Sequence, residues 1–123
     1  MAQPIPDLWP EIEQAQVVPP VAILREQAAL LGKKTNHLLE GRVVTRTAGG
    51  QFHHSFYILA PALDEYTYKL FELTHDENLY PVHVGVTTLN SQQELVDRIR
   101  EILNSDKAKK VVSSLLAQVK ATS

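Results

Sequence analysis

The chain has 123 residues, no cysteine and a formal net charge of -2 at pH 7, which excludes disulfides and thiolate chemistry and argues against non-specific nucleic-acid binding. It has no basic and apolar leader at its amino terminus, and no apolar run reaches the roughly 18 residues of a membrane span. We therefore expect a single cytoplasmic domain over residues 1–123, with no membrane or nucleic-acid partner.

Residues 1–19 are predicted to form a proline-rich arm. Five of the seven prolines lie in the first twenty residues, and each fixes φ and removes a backbone donor. At most one helical turn is expected, at Glu11 to Gln16. Trp9 is the single tryptophan, and its simplest role is to anchor the arm to the body of the domain. A contact between Trp9 and a partner is the alternative.

A helix is predicted over residues 20–34. Proline suits the first helical turn because its missing N–H would be unpaired there, so the helix begins at Pro20 or Val21. Apolar residues then recur on one stripe. Gly32, followed by two lysines, marks the end of the helix.

The segment 38–88 predicts an antiparallel sheet, because β-branched and aromatic residues alternate with polar ones. The four predicted strands are Leu39 to Arg46, Phe52 to Ala60, Tyr66 to His75 and Tyr80 to Thr87. The connections are short, and Gly49 and Gly50 supply the positive φ that a tight hairpin needs. Sequential pairing is therefore expected.

Residues 91–121 predict two helices, which begin near Gln92 and Asp106. Ser91 and Glu94 form a capping box before the first helix, and apolar residues then recur at helical spacing. The predicted fold class is α+β: a four-stranded antiparallel β-meander with one N-terminal and two C-terminal helices packed on one face, in the order α-β-β-β-β-α-α.

The alternation along the strands also predicts their register. Phe56 is expected opposite Phe71, and Leu73 opposite Val82, since all four face the core. The face that the helices leave uncovered, here called the open face, is then determined.

A polar row is expected on the open face, formed by Ser55, Glu72 and His83. Its composition is that of a hydrolase triad, so these are weak catalytic candidates. The predicted order places the carboxylate between the other two, however, and a flat strand offers no oxyanion hole. A solvated polar row is the main interpretation.

An apolar binding surface is predicted beside that row, from Tyr57, Tyr68, Leu70 and Leu59, with Trp9 of the arm. A patch of this kind is seldom left in water. Either the arm or a second copy of the chain must cover it. The sequence favours a homodimer, because the arm offers few apolar residues. A small-molecule ligand on the patch is the alternative.

Metal binding is not expected, and neither is a cofactor. His53 and His54 are adjacent, so on a regular strand they point to opposite faces. The best available constellation is His54 and His75 on the core-facing side, near Asp76 and Glu77, and of these His54, His75 and Asp76 are the metal candidates. Histidines at the margin of a core, with one nitrogen bonded, are the more usual arrangement.

The stretches PPVAILREQAALLGKKTN and FYILAPALDEYTYKLFELTHDENLYPVHV resemble pieces of bacterial single-domain proteins, and this resemblance implies no residue role. The predicted function is that of a small cytoplasmic, non-enzymatic binding or regulatory protein that acts through the open face as a homodimer. Two alternatives remain. One is a small enzyme that uses the polar row, and the other is a small-molecule-binding protein that uses the apolar surface.

Overall fold

A computed structural model describes residues 3–122; Met1, Ala2 and Ser123 of the predicted domain lie outside the described residues. The helices are Pro20–Lys34 (α1), Gln92–Leu103 (α2) and Asp106–Thr122 (α3). The strands are Glu40–Ala48 (β1), Gln51–Ala60 (β2), Tyr66–His75 (β3), Val82–Val84 (β4) and Thr87–Leu89 (β5). The predicted α+β class is confirmed. No helix in the described range is long and apolar enough to cross a membrane.

The sheet has five strands where four were predicted. The segment predicted as one strand from Tyr80 to Thr87 contains β4 and β5, which pair with each other. Gly85 between them has a φ of 60°, and the adjacent Val86 is fully exposed. A positive φ suits glycine and allows the chain to reverse there.

The strands pair sequentially in the order β1-β2-β3-β4-β5, and every pair is antiparallel. The predicted hairpin between β1 and β2 is confirmed, because Ala48 lies opposite Gln51. Gly49 and Gly50 form its turn with φ values of 60° and 76°. Two positive φ values match the right-handed twist of the flanking strands.

A β-bulge interrupts the pairing of β2 with β3. Phe56 lies opposite Phe71 as predicted, and their rings stack with centroids 5.5 Å apart. The next residue, Tyr57, lies opposite Lys69 and not opposite Leu70. Leu70 is therefore the extra residue on β3, and every residue of β3 before it changes face relative to a regular pairing.

The bulge moves Tyr68 and Leu70 to the helix side of the sheet. Tyr68 lies opposite Ile58, which is 1% exposed in the core. Leu70 packs against the core and lines a cavity together with Phe56 and Ile58. The predicted placement of Tyr68 and Leu70 on the open face beside Tyr57 is therefore wrong.

The register between β3 and β4 also differs from the prediction. Thr74 lies opposite His83, which is two residues away from the predicted pairing of Leu73 with Val82. A shift by two keeps each side chain on its predicted face. It does, however, take His83 away from its predicted place beside Glu72.

The helices cover one face of the sheet, as predicted, and α1 packs closely on β1. A side chain at Gly41 would overlap Ala28 of α1, so the two elements approach to backbone contact there. At α2, Ser91 Oγ accepts a hydrogen bond of 3.2 Å from the N–H of Glu94, which confirms the predicted cap. The largest fully buried side chains are those of Pro20, Leu24, Leu39, Phe56, Ile58, Leu73, Val82, Leu95 and Val119.

The arm over residues 3–19 has no helix or strand, so the predicted turn at Glu11 to Gln16 does not form. Trp9 is 77% exposed, and the prediction that it anchors the arm to the body is wrong. Its backbone N–H donates to Asp7 Oδ1 at 3.0 Å within the arm itself. At the end of the arm, Tyr80 Oη donates to the carbonyl of Val18 at 3.3 Å.

Candidate binding surface

β1 forms one edge of the sheet, and among residues 3–122 its outer side has no strand partner. It has nine residues, whereas the strand at the opposite edge has three. Residues 44–48 are exposed. An exposed edge strand presents unpaired N–H and C=O groups at alternate residues. Another extended chain can therefore pair with β1.

Two arginines of β1 project on the open face. Arg42 lies opposite Tyr57, and Arg46 lies opposite His53. The two arginines are four residues apart and so share a face. Val44 lies between them on the same face and is 43% exposed. The free edge of the sheet is therefore bordered by two guanidinium groups with an apolar side chain between them.

Glu72 organises the polar groups next to this edge. Its Oε1 atom accepts hydrogen bonds from Ser55 Oγ at 2.8 Å and from Lys69 Nζ at 3.2 Å, and lies 3.9 Å from Arg46 Nη2. The predicted contact between Ser55 and Glu72 is confirmed. The Ser55 hydrogen bond is the main cause that lowers the pKa of Glu72; Lys69 and Arg46 add to it, and partial burial opposes it. One carboxylate thus faces the positive charges of Arg46 and Lys69.

The predicted triad does not assemble. His83 lies with its Nδ1 atom 3.2 Å from Thr88 Oγ1, on the far side of β3 from Ser55. The hydroxyl of Ser55 donates to Glu72, whose lowered pKa makes it a poor base. His53 Nδ1 is 3.7 Å from Glu72 Oε2. These contacts form a polar network in which Ser55 lacks a histidine base.

His54 of β2 and His75 of β3 contact each other on the core-facing side of the sheet, as predicted. Their Nε2 atoms are 2.9 Å apart, and the residues are 4% and 5% exposed. His54 Nδ1 is 2.8 Å from Thr45 Oγ1, and His75 Nδ1 is 2.7 Å from the carbonyl of Asp76. A carbonyl only accepts, so His75 carries its proton on Nδ1, and His54 donates from Nε2. Thr45 then donates to His54.

The histidine pair is not arranged as a metal site. Within residues 3–122, no group of three or more His, Cys, Asp or Glu side chains could hold a metal ion. The side chain of Asp76 accepts a hydrogen bond from the N–H of Asn78 at 2.8 Å. Burial, followed by the proximity of His75, lowers the pKa of His54 to about 4. His54 is therefore neutral at pH 7.

Little of the predicted apolar binding surface remains on the open face. Tyr57 is there and is half-buried, whereas Leu59 is only 5% exposed. Tyr68 and Leu70 lie on the helix side, and Trp9 projects from the arm. The open face is therefore more polar and more basic than the sequence predicted.

Among the cavities formed by residues 3–122, two lie on the helix side of the sheet, with volumes of about 310 and 260 Å³. The larger one lies between α1, the sheet and α3, and Leu30, Leu31, Leu70, Ala108 and Val112 are among its lining residues. Neither cavity is lined by Arg42, Glu72 or another residue of the polar network. These two cavities therefore do not serve the basic edge, and a macromolecular partner needs no concavity there.

Arg42 and Arg46 were not identified from the sequence, although a signal was present. Their spacing of four places both on one face of a strand. The first strand of a sequential meander is also necessarily an edge strand. The two observations together predict a basic edge.

Three comparisons with known proteins gave no match. No family model matches the chain, and no curated protein or solved structure matches it. The function is therefore inferred from the β1 edge and the charged residues around it.

Proposed function

We propose that this protein is a cytoplasmic binding protein that takes up an acidic polypeptide segment as an added strand along β1. The observation that carries the proposal is the free nine-residue edge strand with Arg42 and Arg46 on one face. In strand addition, main-chain hydrogen bonds provide affinity and side chains provide specificity. The lack of cysteine supports the cytoplasmic setting.

The charges around the edge define the chemistry of the partner. Guanidinium groups bind carboxylates through charge-assisted and often bidentate hydrogen bonds. A strand with acidic residues at alternate positions places its carboxylates on one side, next to Arg42 and Arg46.

Stacking of two open faces is not a favourable dimer. In such an arrangement Arg42, Arg46 and Lys69 of both copies enter one interface. Like charges at an interface cost several kcal/mol, on the order of the gain from a small apolar contact. The predicted use of the sheet for binding is retained, and its site moves to the β1 edge.

A direct experiment uses two short synthetic peptides of equal length, one alternating Glu with Val and one alternating Lys with Val. We expect the Glu–Val peptide to bind the full chain, more weakly as salt is raised, and to shift the amide NMR signals of β1. The Arg42→Glu/Arg46→Glu variant should bind it about tenfold more weakly or worse, since attraction becomes repulsion.

The matched control is the Lys107→Glu/Lys109→Glu variant, which makes the same change in net charge on exposed residues of α3. We expect this variant to bind the peptide like the wild type. Equal binding of the Lys–Val peptide would reject the preference for an acidic segment. Equal loss of binding in both variants would mean that net charge alone acts and would reject β1 as the site.

A further inference from the structure

We infer that the segment bound by β1 is the amino-terminal arm of a second copy of this chain, so that two chains exchange arms in a homodimer. This inference rests on the proposed function, because it names the partner of the same edge. An exchange of this kind is two-fold symmetric and closes on itself, so it produces a dimer and not a filament.

The arm carries apolar residues that its own body does not cover. Ile5, Leu8, Trp9 and Ile12 are between 77% and 85% exposed. Large exposed apolar side chains in one short segment are typical of an interaction site. The arm therefore has the character of a ligand for another surface.

The charge of the arm complements that of the β1 edge. Asp7, Glu11 and Glu13 lie in the arm, and residues 3–19 contain no lysine or arginine. In an extended chain, Glu11 and Glu13 point to the same side. Arg42 and Arg46 share a side of β1 in the same way. Glu11 and Glu13 are two residues apart and the two arginines are four apart, so pairing of the arm with β1 can place one carboxylate opposite an arginine and the other on the same side, next to Val44.

The length of the proline-free part of the arm matches the edge. Pro10 and Pro19 enclose residues 11–18, all of which have a backbone N–H. Proline interrupts a sheet ladder because it cannot donate. Residues 11–18 are thus the part of the arm that can pair, and their number is one fewer than that of β1.

The position of Val18 favours the edge of a second copy over the edge of the same copy. Its carbonyl is bound by Tyr80, which lies two residues before β4. Three strand spacings, roughly 14 Å, separate β4 from β1. At about 3.3 Å per extended residue, the arm would need about four residues to cross the sheet from β4 to the β1 of its own chain. Only half of residues 11–18 would then remain to pair with the β1 of its own chain.

The experiment measures association of the full chain by sedimentation equilibrium and follows Trp9 by fluorescence. Because Trp9 is the single tryptophan, its emission reports on the arm alone. We expect the wild type to dimerise and its Trp9 emission to shift to shorter wavelength as the dimer forms. Glu11→Arg/Glu13→Arg and Arg42→Glu/Arg46→Glu should each weaken the dimer about tenfold or more.

Combination of the two double variants in one chain restores opposite charges across the interface. This quadruple variant should dimerise again, which a merely misfolded chain would not do. A mixture of the two double variants should also associate, because both exchanges then unite opposite charges: the acidic arm of one variant meets the basic edge of the other, and the basic arm meets the acidic edge. The Lys107→Glu/Lys109→Glu variant should dimerise like the wild type.

Two results would overturn the inference. The first is a monomeric wild type, with Trp9 either exposed or shielded by its own chain. The second is a dimer that the charge reversals do not weaken. If the Glu–Val peptide still binds at β1 in either case, the proposed function stands and only the identity of the partner is wrong. If the peptide fails to bind as well, both proposals fail.

Discussion

The Nε2 atoms of His54 and His75 lie 2.9 Å apart in the interior, and only one of them can carry a proton between them when both rings are neutral. The outer nitrogen of His54 contacts Thr45 Oγ1, and that of His75 contacts the carbonyl of Asp76. The four groups form a directed chain of hydrogen bonds. Both ring nitrogens that could take up a further proton, His54 Nδ1 and His75 Nε2, already accept a hydrogen bond.

This pair predicts that the protein loses stability in mild acid. The folded pKa of His54 is about 4 against an ordinary value of 6.5, so between these values the unfolded chain binds more protons. The free energy of unfolding therefore falls as pH drops through this window, by up to about 3 kcal/mol. Urea unfolding at a series of pH values measures it. The pKa of Glu72 is also lowered from its ordinary value of 4.5. Protonation of Glu72 therefore lowers the free energy of unfolding further as pH falls below 4.5.

The His54→Gln variant separates this effect from general acid sensitivity. We expect a smaller slope of stability against pH in this variant, because the titrating group is gone. His83→Gln is the control, since His83 is exposed. A wild-type slope in His54→Gln would show that another group governs the acid response.

A second prediction concerns the bulge, which places Leu70 on the helix side of the sheet, against the core. Leu70→Glu should destabilise the fold by about 1–3 kcal/mol, because a carboxylate loses water there without a partner. A Leu70 on the open face would instead tolerate the change. The exposed Thr67 of the same strand is the control, and Thr67→Glu should leave the unfolding midpoint nearly unchanged.

Periodicity was sufficient to predict the elements of this fold but not all of its pairings. The alternation in β2 and β3 predicted the pairing of Phe56 with Phe71. It could not reveal the bulge at Leu70, opposite the step from Phe56 to Tyr57. One inserted residue leaves the sequence on either side of it equally alternating. A slip of two residues, as between Thr74 and His83, is invisible to alternation for a similar reason.

The candidate site was predicted in part for the same physical reasons. The contact of Ser55 with Glu72 follows from a register that precedes the bulge. The apolar patch depended on Leu70, which lies at the bulge itself. Trp9 was predicted to anchor the arm because exposure of a tryptophan is costly, but nothing in the sequence fixes where an arm lies.

A third prediction tests the close approach of α1 to β1. Gly41→Ala should cost about 1–3 kcal/mol, because the new methyl group overlaps backbone and side-chain atoms of Ala28. Gly49→Asn is the control: the turn has open space around Gly49, and asparagine tolerates a positive φ. Thermal unfolding compares the two variants. Equal stability of Gly41→Ala and the wild type would contradict the packing of α1 described above.

The last prediction is that Glu72 restrains binding at the basic edge. Its carboxylate lies 3.2 Å from Lys69 Nζ and 3.9 Å from Arg46 Nη2, so it competes with any acidic partner for these cations. Glu72→Gln should therefore tighten binding of the Glu–Val peptide about two- to tenfold. The fold should be kept, because the side-chain oxygen of glutamine can still accept the hydrogen bond from Ser55. Asp97→Asn makes the same change in net charge on an exposed residue of α2, and peptide titration should show no such gain. Weaker binding by Glu72→Gln than by Asp97→Asn would mean that Glu72 orients the cations for the partner and does not compete with it.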